Sequence, residues 1–113
     1  MNDFITRLTK YGADVPSALE RFLDDAELYE SCTATFMQDA SFAALGQAIA
    51  SANYEAAFEA AHTLKGVAAN LSLTPLLRAI SELVEALRAQ NYTKLDEQYQ
   101  AVLIQQNIIL ALL

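Results

Sequence analysis

The residues of this chain best suited to chemistry stand close together: His62, Lys65 and Gly66, in the run Ala60-Ala61-His62-Thr63-Leu64-Lys65-Gly66-Val67-Ala68-Ala69-Asn70-Leu71. Neutral imidazole is a nucleophile near neutral pH, and an ammonium one helical turn away partly neutralises a dianionic group carried on the ring. Glycine in a helix interior costs about 1 kcal/mol against alanine, so Gly66 needs a reason to be there. Four residues after the histidine, it removes the side chain that would crowd the imidazole, and Ala69 continues the bare strip. In-line phosphoryl transfer needs a second molecule to approach closely, so small surroundings suit an imidazole that takes up a phosphoryl group.

The element that must position these residues is a helix from Tyr54 to Leu71. At about 100° per residue, Ala57, Ala61, Leu64, Ala68 and Leu71 fall in one sector and form its inward seam. His62 then points roughly 140° from the middle of that sector, into solvent. Phe58, Glu59, Gly66 and Ala69 share its side, and Lys65 stands at the flank. Phe58, Glu59 and Ala69 are thereby the candidate docking surface around the candidate reactive set His62, Lys65 and Gly66.

Other chemistries fit less well. A metal site would need Glu55 and Glu59 to supply every ligand besides the sole histidine, so no metal or other cofactor is expected. A His–Glu acid–base pair would need a cleft that nothing in the sequence shapes. Glu55 and Glu59 also read as carboxylates of a solvated face, and on geometry alone a single surface histidine is more often just a solvated residue.

Composition sets the frame. The chain has 113 residues, 54% of them apolar, with three glycines, two prolines and no tryptophan. That is one alanine-rich, breaker-poor domain, residues 1–113, with enough apolar side chains for a core. The net charge of −7 argues against a nucleic-acid partner. Cys32 is the only cysteine, so there is no intrachain disulfide; it reads as a small buried hydrophobe in a reducing compartment. Met1 through Lys10 hold no apolar run long enough for a signal peptide, so none is expected, and the apolar stretch from Ala101 to Leu113 is interrupted by Gln105, Gln106 and Asn107 and too short to span a bilayer. A cytoplasmic protein without membrane contact is expected.

No segment alternates with period two, so the class is all-α. Phe4, Ile5, Leu8 and Tyr11 mark a short helix stopped at Gly12. Asp14 caps the next, with Pro16 in its first turn and Ala18, Leu19, Phe22 and Leu23 on one side. Asp24 and Asp25 lead into Leu28, Tyr29, Cys32 and Phe36. Ser41 opens a segment through Leu45 and Ile49 that ends near Asn53. Thr74 as N-cap and Pro75 open a helix carrying Leu76, Leu77, Ile80, Leu83, Val84 and Leu87. Thr93 with Asp96 resembles a capping box before Leu95, Tyr99, Val102, Leu103, Ile109 and Leu110. Short connections between the longer helices predict an antiparallel, up-down four-helix bundle with one or two short N-terminal helices covering one end.

The His62-Thr63-Leu64-Lys65-Gly66 run and its flanks resemble the phosphoacceptor helix of histidine-containing phosphotransfer (HPt) domains. Asp25 through Phe36 resembles the second-helix pattern of stand-alone bacterial members, and Leu76, Ala79 and Leu83 resemble the helix beside the acceptor. The resemblance implies a phosphorelay intermediate: His62 accepts a phosphoryl group from a receiver-domain aspartyl phosphate and passes it to another receiver aspartate. Lys65 assists the phosphoryl group and Gly66 gives access. The partners implied are response-regulator receiver domains and a hybrid sensor histidine kinase. Mg2+ belongs to the partner receiver, and this chain is a carrier and not an enzyme, a monomer by itself. The alternative is an HPt-like docking module that binds a receiver or kinase without carrying phosphate. Two positions depart from the family. Ser72 stands where glycine usually follows the acceptor helix, which predicts a changed helix end. Val84 stands where many members carry Glu or Gln near the histidine, leaving Ser81 or water to orient the ring.

Overall fold

The protein is described here from a computed structural model covering residues 3–113. Among the described residues there are seven helices and no strands: α1 (Asp3–Tyr11), α2 (Val15–Arg21), α3 (Ala26–Met37), α4 (Ser41–Ala50), α5 (Tyr54–Asn70), α6 (Thr74–Arg88) and α7 (Leu95–Leu112). The fold is all-α. The most extensive interfaces are those of α4 with α5, α5 with α6 and α6 with α7; α4 also touches α7. The earlier helices attach around this group, α1 and α3 against α7, and α2 between α1 and α3. No helix among the described residues is long and apolar enough to cross a membrane.

The core follows from the helical periodicity. Leu45 of α4, Leu64 of α5, Leu76, Ile80, Leu83 and Val84 of α6, and Val102 and Ile109 of α7 are fully buried. Each such side chain contributes roughly 1.5–3 kcal/mol by leaving water. The seam of α5 is as its spacing requires, with Ala57, Ala61, Leu64 and Ala68 at zero exposure and Leu71 buried just beyond them.

The helix ends show why the chain turns so tightly. After α2, α4, α5 and α6 a residue without glycine's freedom adopts positive φ: Leu23 (53°), Ala52 (56°), Ser72 (53°) and Gln90 (56°). In each case the following amide reaches back five residues, as Asn53 N–H does to the Ala48 carbonyl (2.8 Å) and Asn91 N–H to Ala86 (2.9 Å). These are Schellman closures, which satisfy carbonyls that a helix end leaves open. Gly12, at φ 111°, closes α1 in the same way.

Several local expectations are corrected. Leu23 is not on a buried side; α2 ends at Arg21, and the left-handed turn leaves Leu23 88% exposed. Leu28 lies on the outer side of α3, whose buried residues are Tyr29, Thr33, Phe36 and Met37. Thr74 is not the N-cap of α6: Leu73 occupies that place, and the Thr74 hydroxyl donates to the Ser72 carbonyl (3.4 Å). Thr93 forms no capping box, because its amide and hydroxyl both donate to Asn91 Oδ1 (3.4 and 2.9 Å), and Lys94 precedes α7 without a side-chain cap. Cys32 is half-buried and packs against the core edge.

Tyr29 ties α3 to the end of α5. It is fully buried, stands edge-on to Phe4 with centroids 6.1 Å apart, and donates to the Leu71 carbonyl at 2.6 Å. Burial pushes its hydroxyl up to about 12, and likewise that of Tyr11, from an ordinary 10.0. The folded state therefore holds these phenols neutral after the unfolded chain has begun to ionise them. Stability from this source is complete below pH 10 and is lost as pH rises from about 10 to about 12. Urea midpoints should accordingly stay level up to pH 9 and fall above 10. Tyr29→Phe should cost about 1–3 kcal/mol at neutral pH, because the Leu71 carbonyl loses its donor, and should shallow the alkaline decline. An alkaline decline unchanged by the substitution would show that Tyr29 does not carry the effect.

Candidate functional site

α5 is fixed at both ends before its outer face is considered. At the start, Asn53 is the N-cap and its Oδ1 accepts from Ala56 N–H (3.2 Å). At the finish the terminal carbonyls all find donors. Leu71 N–H bonds to Val67 (3.0 Å), Leu73 N–H to Ala68 (3.1 Å) and Ser72 N–H to Ala69 (3.1 Å). Arg21 of α2 donates Nε to the Asn70 carbonyl (2.9 Å) and Nη2 to that of Ala69 (3.4 Å), while Tyr29 takes Leu71. A cation at a helix C-terminus is also favoured by the helix dipole.

Ser72 is part of this closure. Its hydroxyl accepts a short hydrogen bond from Arg21 Nη2, and its carbonyl accepts from Asp14 N–H at 2.9 Å. The helix end is not visibly changed: Ser72 takes the left-handed conformation that glycine adopts freely, with the same closure as at the other helix ends, and is held there by α2.

On the outer face, the structure brings together part of the set named from sequence. His62, Glu59, Gly66 and Ala69 are exposed, and Phe58 and Lys65 are half-buried. Phe58, Glu59, His62 and Thr63 line one shallow surface depression. Lys65 lies outside that lining, at the flank, and makes no ion pair among the described residues. Ala69 lies toward the Arg21-bonded end of the helix. A Cβ added at Gly66 would meet nothing within 4 Å, so the space over this turn is open. Among the described residues, no group of three His, Cys, Asp or Glu side chains could hold a metal ion.

Ser81 is not placed to orient the ring. Val84 is wholly buried, and Ser81 lines a separate cleft with Arg78, Glu82, Glu85, Asn91 and Gln98 on the α6–α7 side. The imidazole instead neighbours Phe58, with ring centroids 5.9 Å apart and planes inclined by 36°.

Residues 17–111 match the family described as Hpt domain. The chain belongs to the Hpt domain family. Hpt domains serve histidine phosphotransfer in phosphorelays and two-component signalling, as phosphocarrier modules rather than catalysts, interacting there with receiver domains and kinases. No curated protein and no solved structure matched the chain.

Three features of this Hpt chain were missed from sequence. Arg88 of α6 stands over Phe58, its Cζ 5.7 Å from the ring centroid, and is paired with Glu85 at 2.6 Å. Tyr54 and Tyr92 stack at 3.6 Å beside it, forming with Phe58, Leu87 and Gln90 a groove that adjoins the His62 depression. Both contacts join residues far apart in sequence, and only the packing of α5 against α6 and the connection that follows it could have suggested them. The third is Gly46, whose missing Cβ makes room for Tyr99; the Tyr99 hydroxyl donates to the Phe42 carbonyl at 2.9 Å.

The two helical glycines therefore respond oppositely to the same substitution. Gly66→Ala should raise stability by up to about 1 kcal/mol, the propensity difference with no steric opposition. Gly46→Ala should lower stability despite that propensity, since the new Cβ would stand 2.6 Å from Tyr99 Cζ and break its bond to Phe42. Thermal melts of the two variants check this; equal shifts would mean that the Tyr99 contact gives way freely.

Proposed function

We propose that this protein is a phosphorelay intermediate that accepts a phosphoryl group on His62 from a receiver aspartyl phosphate and passes it to a second receiver aspartate. The observation that carries this reading is the sole histidine of an Hpt-family chain, exposed on a pinned helix beside the open space at Gly66. The remaining parts of the reading follow from it. Residues 1–113 act as a single domain in which α4–α7 form an antiparallel, up-down bundle, with α1 and α2 covering one end. The chain works as a cytoplasmic monomer, needs no cofactor of its own, and meets Mg2+ only on the partner receiver. A hybrid sensor kinase stands upstream.

In the transfer, the imidazole nitrogen that lacks a proton donates its lone pair to phosphorus. An N–P bond forms, the P–O bond to the aspartyl carboxylate breaks, and the carboxylate leaves with the electron pair; the other ring nitrogen keeps its proton. Lys65 is placed to lower the cost of the phosphoryl charge, and Gly66 leaves room for the receiver.

Incubation with a labelled phospho-receiver tests the assignment. Wild-type protein should take up an acid-labile, base-stable label, and His62→Gln should take up none while keeping its circular dichroism. Label in His62→Gln, or receiver binding by the wild type with no label at all, would overturn it. Lys65→Ala should slow transfer by about tenfold, equivalent to ~1.4 kcal/mol in the barrier, with Lys65→Arg intermediate. Gly66→Gln should stay folded and transfer much more slowly; a native rate would mean that clearance is not the reason for this glycine.

A further inference from the structure

The imidazole of His62 makes no hydrogen bond among the described residues, so the question is what limits its rotation. A histidine free about its side-chain torsions would present its nucleophilic nitrogen in line only part of the time. On α6, the Val84 side chain is fully buried and apolar, and Ser81 lines the cleft on the α6–α7 side.

One ring does contact the imidazole. Phe58 lies one turn before His62, half-buried, at the centroid separation of 5.9 Å and inclination of 36° that an aromatic pair adopts readily. Phe58 is in turn held from outside α5. The guanidinium of Arg88 stands 5.7 Å from its centroid, and Glu85, one turn before Arg88, fixes that guanidinium through a 2.6 Å ion pair. The chain of contacts Glu85–Arg88–Phe58–His62 runs from the outer edge of α6 to the imidazole.

We propose that Phe58, buttressed by Arg88 and Glu85, is the positioning residue for His62, restricting the imidazole by packing where a hydrogen bond would otherwise orient it. This rests on the reading of His62 as the phosphoryl carrier. A packed ring differs from a hydrogen-bonded one in a useful respect. Phe58 offers neither donor nor acceptor in the ring plane, so both imidazole nitrogens stay available to the phosphoryl donor and to solvent.

The test uses the full chain with two readouts. The first is NMR relaxation of the His62 imidazole carbons, which reports ring motion without any reaction. The second is phosphorylation by phosphoramidate, a small donor that needs no receiver: the unprotonated ring nitrogen bonds to phosphorus, the P–N bond to the donor's protonated amino group breaks, and ammonia leaves with the electron pair, while the other ring nitrogen keeps its proton. Phe58→Leu should free the ring and lower the maximal rate about tenfold, with the half-saturating donor concentration unchanged. Phe58→Tyr, which keeps the aromatic face, should restore both. Arg88→Gln, at an exposed residue, should loosen the ring to an intermediate degree and so keeps the test decisive should Phe58→Leu fail to fold. Wild-type ring motion in Phe58→Leu, or in Arg88→Gln when Phe58→Leu is unfolded, would overturn the proposal. If phosphoramidate labels no variant, wild type included, while ring motion still follows Phe58, the carrier reading fails and the positioning role stands.

Discussion

The close packing of one alanine-lined helix face is the constraint on which the site depends. Ala57, Ala61 and Ala68, with Leu64 between them, are at zero exposure, and this face of α5 makes its most extensive interfaces with α4 and α6. An alanine buries little apolar area, and most of the burial energy comes from the larger Leu, Ile and Val residues of α4, α6 and α7. What the small seam provides is room for the larger side chains of the neighbouring helices to pack against α5, and that close packing, with Leu64 interdigitated, leaves it little freedom to roll or slide. His62, about 140° from the seam, inherits that fixity without being buried.

The ends complete what the seam begins. Asn53 satisfies the first turn, and Arg21 and Tyr29 from the early helices satisfy carbonyls of the last. A parallel contact, Arg7 Nε to the Leu112 carbonyl at 2.8 Å, links α1 to the end of α7. The N-terminal helices thus act on backbone groups at helix ends as well as by covering apolar surface. Ser72 shows the consequence. A non-glycine residue at positive φ costs on the order of 1–2 kcal/mol, and here Arg21 and Asp14 hold it in place. On the outer face the space over Gly66 stays open.

Much of this was legible in the residues. The seam of α5 and the exposure of His62 follow from spacing, because helical geometry converts sequence offset into angle with little error over a few turns. Gly66 was interpretable because it breaks propensity with no turn nearby. Gly46, equally unexpected in a helix, was not, because its reason is Tyr99, a residue of another helix. The caps misread at Thr74 and Thr93 fail for a related cause. Both hydroxyls have local acceptors, Ser72 and Asn91, created by turns whose positive-φ residues, Ser72 and Gln90, carry no glycine to announce them. Ser81 of α6 is the protein partner expected for the imidazole, whereas the contact comes from Phe58, which spacing places on the same side of α5 as the histidine but only as docking surface.

In the proposed carrier, α5 separates support from chemistry: its inner face holds the fold and its outer face would carry the phosphoryl group. Combined 31P and amide 1H–15N NMR before and after phosphorylation tests it most directly. The account predicts one phosphohistidine resonance, with amide shifts confined to the outer face of α5 between Phe58 and Ala69 and the adjoining end of α6. Shifts spread through the buried residues of α4 and α7, or phosphorylated protein without a phosphohistidine resonance, would contradict it.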